Sequence, residues 1–173
     1  VNLEPRSLVN AGMHRLTTRQ WLPLGIEEAW DFFSVPENLN RLTPDDMSFE
    51  IRSGGGERTF AGHIICYKVR PLFNVPMRWV TEIVESEDGK YFIDEQRFGP
   101  YRFWHHLHRF TEGDGGVWMD DVLHYVLPAG PIGELLGTLM LHSKVEGIFT
   151  YRGEALKQLF PGASDAEQAR RRV

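Results

Sequence analysis

Between residues 48 and 127 the chain repeats one pattern: a short run rich in β-branched and aromatic residues, then a turn signal. The runs are SFEIRS, TFAGHIICYKV, MRWVTEIVES, YFIDEQRF, YRFWHHLHRF and VWMDDVLHYVL, and the turns include GGGE, EDGK, GP and EGDGG. Apolar and polar residues alternate within the runs, which is the period of a strand with one buried face. Turns this short join antiparallel neighbours. The segment therefore reads as a six-stranded meander, and its apolar face needs a cover.

The flanks supply the cover. HRLTTRQWL (14–22) alternates and ends at Pro23, a first strand. GIEEAWDFF places Ile26, Ala29, Trp30 and Phe33 on one helical face. SVPENLNRLTP follows, with Ser34 and Glu37 at capping-box spacing and Pro36 near the start, so a second short helix is expected before Pro44. After PAGP (128–131) a helical pattern runs to Phe160, where PG stops it. From Ile132 that helix would span about 43 Å. Its apolar stripe changes direction between Ile132–Met140 and Val145–Phe160, which predicts a break near His142–Lys144 or a first segment with its own packing partner. Gly133, Gly137, Gly147 and Gly153 interrupt the pattern, each costing about 0.8–1 kcal/mol against alanine in a helix interior. The order is α+β: one strand, two short helices, six strands and a long helix, giving a seven-stranded curved sheet wrapped on the C-terminal helix.

At 173 residues the chain suits one domain, taken as 13–160, with an arm at 1–12 and a polar tail at 161–173. The net charge is −5 and the only dense basic cluster is ARRRV at the end, so nucleic acid is not an expected partner. No run approaches the roughly 20 apolar residues of a membrane span, and residues 1–15 lack the apolar centre of a signal peptide. The single Cys66 excludes an intrachain disulfide and fits a reducing, cytoplasmic setting. GGGE lacks the lysine of a phosphate loop and reads as a hairpin turn.

LPLGIEEAWDFFSVPENLNRLTP (22–44), MRW (77–79), FIDEQRFGPYRFWHHLHRF (92–110), DVLHYVLPAGPIG (121–133) and IFTYR (148–152) resemble the START/Bet v-type helix-grip superfamily, and within it a bacterial branch of ligand-binding, cyclase/dehydrase-like proteins. The resemblance covers residues 14–160. It implies the helix-grip fold and a hydrophobic pocket between sheet and helix. It implies no particular reaction, because the fold hosts binders, carriers and enzymes.

Alternation separates the two faces of the sheet. Trp79, Phe92, Asp94, Gln96, Trp104, His106, His108, Phe110, Met119, Asp121, Leu123 and Tyr125 fall on the face expected to be concave. Glu82, Glu95, Arg97, His105, Arg109 and His124 fall on the outer face. A loop at Gly99–Tyr101 would set Asp94 opposite His106 and Gln96 opposite Trp104. A loop at 113–116 pairing Phe110 with Val117 would set His106 opposite Asp121 and His108 opposite Met119. Asp94, His106 and Asp121 then form a polar row on an apolar wall.

Three chemistries fit such a row. The first is binding: a small hydrophobic or amphipathic ligand in the cavity, its polar end oriented by the row with Gln96 and His108, with no cofactor. The second is catalysis, with His106 as acid/base beside Asp94 and Asp121, as in a polyketide cyclase or dehydratase. The third is a protein-interaction module with a filled core, the row only satisfying itself. No metal is expected; His106 and His108 at i, i+2, with Asp121 as a third ligand, are the candidates were one bound. Binding without catalysis is the leading expectation, and the oligomeric state is open.

Overall fold

The alternating runs pair as the expected antiparallel meander. In this computed structural model, residues 12–70, 75–127 and 131–165 are described, with side chains from 142 onward in the last segment. β1 (Met13–Leu22) leads to α1 (Ile26–Phe33) and two 3₁₀ turns, Pro36–Leu42 and Asp45–Met47. Then come β2 (Glu50–Ser53), β3 (Ile64–Val69), β4 (Met77–Glu87), β5 (Tyr91–Phe98), β6 (Phe103–Gly113) and β7 (Gly116–Val126). α2 (Pro131–Leu159) and a two-residue β8 (Ser164–Asp165) follow. The eight strands form one sheet in the order β2-β3-β4-β5-β6-β7-β1-β8.

The eighth strand is the one not expected. Gly162 (φ +109°) turns the chain back after α2, and Trp21 pairs with Ser164 and Gln20 with Asp165. Lys157 Nζ reaches Asp165 Oδ2 at 2.9 Å. Residues 161–165 are thus part of the fold rather than of a tail. The arm at 1–11, the tail at 166–173 and the side chains of the Ile132–Met140 stripe lie outside the described residues, while Gly133 and Gly137 fall within α2.

α1 buries Ala29, Trp30 and Phe33 as its spacing predicts, with Glu27 and Glu28 in the first turn where the helix dipole favours them. Trp30 packs edge-on against Phe92 and Phe110. The second short helix is a 3₁₀ segment and has no capping box. Ser34 instead closes α1 as its C-cap, its N–H donating to Trp30 O, and Glu37 Oε1 accepts the Gly56 N–H at 2.7 Å. GGGE accordingly belongs to a longer connection docked on that segment, not to a tight hairpin.

α2 continues through His142–Lys144 without the expected break. Val145, Phe149, Arg152 and Leu156 face the sheet. Val145 and Phe149 pack with Trp104, Leu123 and Tyr125, while Leu156 joins Leu22, Trp30 and Phe110 in the larger core. Gln20 Nε2 donates to Gly153 O at 3.0 Å, which ties β1 to the helix.

Register holds on one side of β6 and shifts on the other. Asp94 pairs with His106 and Phe92 with His108 as expected. The β5–β6 ladder ends at Glu95–His105, so Gln96 does not face Trp104. Its amide instead brackets Tyr101, accepting from Tyr101 N–H at 3.2 Å and donating to Tyr101 O at 2.6 Å. On the β7 side His106 pairs with Leu123, His108 with Asp121 and Phe110 with Met119, two residues away from the expected register. The cause is the turn. Asp114 (φ +57°) and Gly115 (φ +73°) make a two-residue loop between Gly113 and Gly116, tighter than the loop inferred from EGDGG.

Gly116 begins β7 against the end of β1, where a Cβ would sit 2.3 Å from Leu22 O and 2.7 Å from the Trp21 ring. Gly116→Ala is expected to cost about 1–3 kcal/mol by forcing β1 and β7 apart, read as a lower urea midpoint. An unchanged midpoint would contradict the close approach.

Candidate functional site

FWHHLHRF resolves by face. Trp104, His106, His108 and Phe110 are buried, whereas His105 and Arg109 point outward. His105 Nδ1 lies 3.0 Å from Glu95 Oε1 on the outer surface.

Between sheet and helix lies a cavity of about 150 Å³. An apolar cavity of this size accepts a single-ring molecule. Its apolar lining includes Phe33, Leu39, Leu42, Tyr67, Trp79, Phe92, Trp104, Ile148 and Phe149. Asp94, His106, His108 and Arg152 supply its charged and imidazole groups. Of the expected wall, Gln96, Phe110, Met119, Asp121, Leu123 and Tyr125 do not line it. Phe110 and Met119 are packed in the core with α1, and Leu123 and Tyr125 lie under α2. Asp121 sits behind the histidines.

The polar groups form one buried cluster. His106 Nε2 donates to Asp121 Oδ1 at 3.1 Å, and His106 Nδ1 lies 3.5 Å from Asp94 Oδ2. His108 Nε2 meets Asp94 Oδ2 at 2.8 Å. His108 Nδ1 is 2.8 Å from Asp121 Oδ1, but off the line of a hydrogen bond. The two imidazoles lie 3.8 Å apart, centre to centre. Trp104 Nε1 donates to Asp94 Oδ1 at 3.2 Å and Thr18 Oγ1 to Asp121 Oδ2 at 3.3 Å. From α2, Arg152 Nη1 approaches both oxygens of Asp121, at 3.4 and 3.5 Å. Asp121 is almost wholly enclosed, while the Asp94 side chain keeps 17% of its surface, turned toward the cavity.

The histidines titrate in opposite directions. Burial, then the charge on His108, pushes His106 down, and the carboxylates do not offset this. Burial also opposes charge on His108, but Asp121 and Asp94 outweigh it and raise that group. Burial disfavours both carboxylates, yet Arg152 and the histidines hold Asp121 well below its usual range, and His108 with His106 and Trp104 holds Asp94 low. These directions keep both carboxylates ionised beside Arg152 and make His108 the more readily protonated imidazole of the two. Charges paired in this way tolerate burial that a lone ion does not.

Arg152 is the site residue that sequence reasoning missed. A signal existed: it interrupts the apolar stripe Val145, Phe149, Leu156 at helical spacing, where a solvated arginine does not belong. The lining from the 3₁₀ segment, Leu39 and Leu42, comes from a stretch whose sequence pattern indicates a short helix and no cavity.

An antiparallel sheet wrapped on one long C-terminal helix, with a mostly apolar cavity between them, is the helix-grip fold of Bet v-type proteins. Solved structures agree. The chain superposes on the Ara h 8.0201 protein with TM-score 0.53 and 15% identity, over 84% of this chain and 99% of that one. For ginseng major latex-like protein 151 from Panax ginseng the values are 0.52 and 12%, over 79% and 97%. For the nucleoside-diphosphate sugar epimerase from Corynebacterium glutamicum they are 0.60 and 23%, over 83% of this chain but 28% of the enzyme. No protein-family model and no curated protein matches the sequence.

Asp121→Asn should cost about 3–5 kcal/mol, because Arg152 is left buried without its counter-charge. Adding Arg152→Met should recover part of the loss, and a double-mutant cycle in urea measures the coupling. The histidine pair also sets a pH dependence. Below 6.5 the unfolded chain protonates both imidazoles, whereas the lowered His106 resists its proton in the native state; above 6.5 the unfolded imidazoles lose theirs, whereas the raised His108 holds its proton to higher pH. The pair's contribution therefore peaks near pH 6.5. It falls on the acid side through His106 and on the basic side as pH passes the raised value of His108. Asp121 adds a further loss below 3.8. Urea midpoints across pH in chelator-treated buffer test this, and a midpoint that rises steadily from about pH 5 to 8 would contradict it.

Proposed function

We propose that this chain binds a small hydrophobic or amphipathic molecule in the cavity between sheet and α2. The apolar body of the ligand lies against Leu42, Trp79, Ile148 and Phe149, and its polar end meets Asp94, His106 and His108. The observation that carries this reading is the composition of the cavity wall: apolar side chains on most sides, one polar patch of paired charges on the sheet. Burial of the ligand's apolar surface supplies affinity at about 25 cal/mol per Å², and the patch supplies orientation. The cavity favours a carrier or sensor over an interaction module with a filled core. Lone Cys66 fits a reducing cytoplasm, and no helix among the described residues is long and apolar enough to cross a membrane.

A second reading, an acid/base enzyme of the cyclase or dehydratase kind, is favoured by one observation. His106 and His108 are adjacent, line the cavity and are pushed toward opposite protonation states, as a proton donor and acceptor are. His106→Asn should then abolish turnover of a bound substrate while leaving its affinity within a few-fold, whereas a pure carrier has no turnover to lose.

Native mass spectrometry of freshly purified protein should show a small-molecule adduct that is lost on unfolding. Leu39→Trp, at a half-buried lining position, should fill the cavity and cut occupancy about tenfold or more, equivalent to about 1.4 kcal/mol. Absence of an adduct, together with no thermal shift from a panel of small aromatic and amphipathic acids, would count against a ligand.

A further inference from the structure

We infer that Asp94, His106 and His108 form a site for a divalent first-row transition ion, zinc or ferrous iron, with Asp121 as the outer carboxylate that orients both imidazoles. The inference starts from topology. His106 and His108 stand at i, i+2 on one face of β6, and Asp94 pairs with His106 from β5. One ligand atom from each lies within 4.8 Å of the others. The individual separations are 2.8 Å from His108 Nε2 to Asp94 Oδ2 and 3.5 Å from His106 Nδ1 to the same oxygen. Ligands held about 2.0–2.1 Å from a common ion stand about 3–3.5 Å apart.

The remaining polar atoms of these side chains each lie beside a partner group. His106 Nε2 and His108 Nδ1 lie 3.1 and 2.8 Å from a single oxygen, Asp121 Oδ1. The second oxygen of Asp94 takes the Trp104 indole N–H at 3.2 Å. Asp121 is itself held by Thr18 and Arg152. A carboxylate beside the far nitrogen of each imidazole, hydrogen-bonded to that of His106 and in ionic contact with that of His108, is the kind of outer arrangement that metal-ligating histidines use. With those nitrogens turned to Asp121, the other two imidazole nitrogens converge on Asp94 Oδ2. Two lone pairs against a carboxylate oxygen repel unless a cation lies between them. A proton on His108 is one such cation, and a metal ion is the other.

Donor type narrows the ion. Two imidazoles and one carboxylate suit zinc or ferrous iron, while magnesium and calcium prefer oxygen donors. Asp94, His106 and His108 all line the cavity and Asp121 does not, so a coordination position left open by three protein ligands faces the cavity. The sequence alone suggested Asp121 as third ligand; the geometry puts Asp94 there and Asp121 behind. A divalent ion with Asp94 leaves one positive charge, since Asp121 and Arg152 cancel. The matching ligand, on the reading proposed above, is an apolar molecule bearing an anionic oxygen such as a carboxylate or enolate.

The test uses the full chain, stripped with chelator, with no organic ligand present, so that it does not depend on small-molecule binding. Calorimetric titration with zinc should show one ion per chain, and anaerobic ferrous competition ranks the two ions. Magnesium should give no binding. Imidazole nitrogen NMR of the wild-type protein then locates the ion: of seven histidines, His106 and His108 should shift on adding zinc and the other five should not. Asp121→Asn should keep the stoichiometry and weaken zinc about 10–100-fold. His106→Gln and His108→Gln should abolish tight binding. Should those variants fail to fold, the wild-type spectra still decide. No zinc bound, magnesium bound as well as zinc, or shifts confined to other histidines such as His14 and His142 would overturn the site.

Discussion

One buried carboxylate, Asp121, holds the sheet and the helix in a fixed relation. The apolar seam of Val145, Phe149 and Leu156 supplies burial energy, but hydrophobic contact is not directional. Arg152 is directional. A slip of α2 by one turn, about 5.4 Å, would bring Ile148 or Leu156 over Asp121 and leave two charges unpaired. The ion pair thus fixes the position of the helix along the sheet, and with it the shape of the cavity beneath. The same carboxylate turns the histidines, so that their free nitrogens address the cavity while their other nitrogens stay inside the protein.

This arrangement concentrates polarity on a small part of an otherwise apolar wall. Phe92 stacks on His108 at 4.3 Å and Phe149 meets His106 edge-on at 5.4 Å, so aromatic rings exclude water from the imidazoles. Low local polarity strengthens every interaction within the cluster and raises the cost of leaving any member unpaired. The opposite protonation tendencies of two adjacent histidines follow from that constraint: an unscreened pair beside two carboxylates and one guanidinium holds its first proton more readily than a second.

Much of this was legible in the sequence, because a strand's side-chain period of two does not depend on its partners. Alternation, with the more charged set assigned to solvent, put Trp104, His106 and His108 inside and His105 and Arg109 outside. The register of β7 was misread, since EGDGG does not reveal that Asp114 and Gly115 both take positive φ and close a two-residue turn. The error was an even number of residues, so no side chain changed face and Asp121 still reached His106, now diagonally. Other features carry weaker local signals. Arg152 looks like a solvated charge until the helix is placed on the sheet. The 3₁₀ segment at Pro36–Leu42 shares its spacing with a capped helix, and Ser164–Asp165 has no strand signature because β1 alone recruits it.

The ends of the sheet carry a consequence for assembly. β2 has four residues with a register shift, and β8 has two. β8 covers only Gln20 and Trp21 of the ten-residue β1, so along Met13–Arg19 the margin of β1 has no ladder partner among the described strands. A strand added from outside would find its open backbone groups there rather than at β2. The two margins of the sheet therefore differ: one is a short strand with a register shift, the other a long strand covered over two residues only.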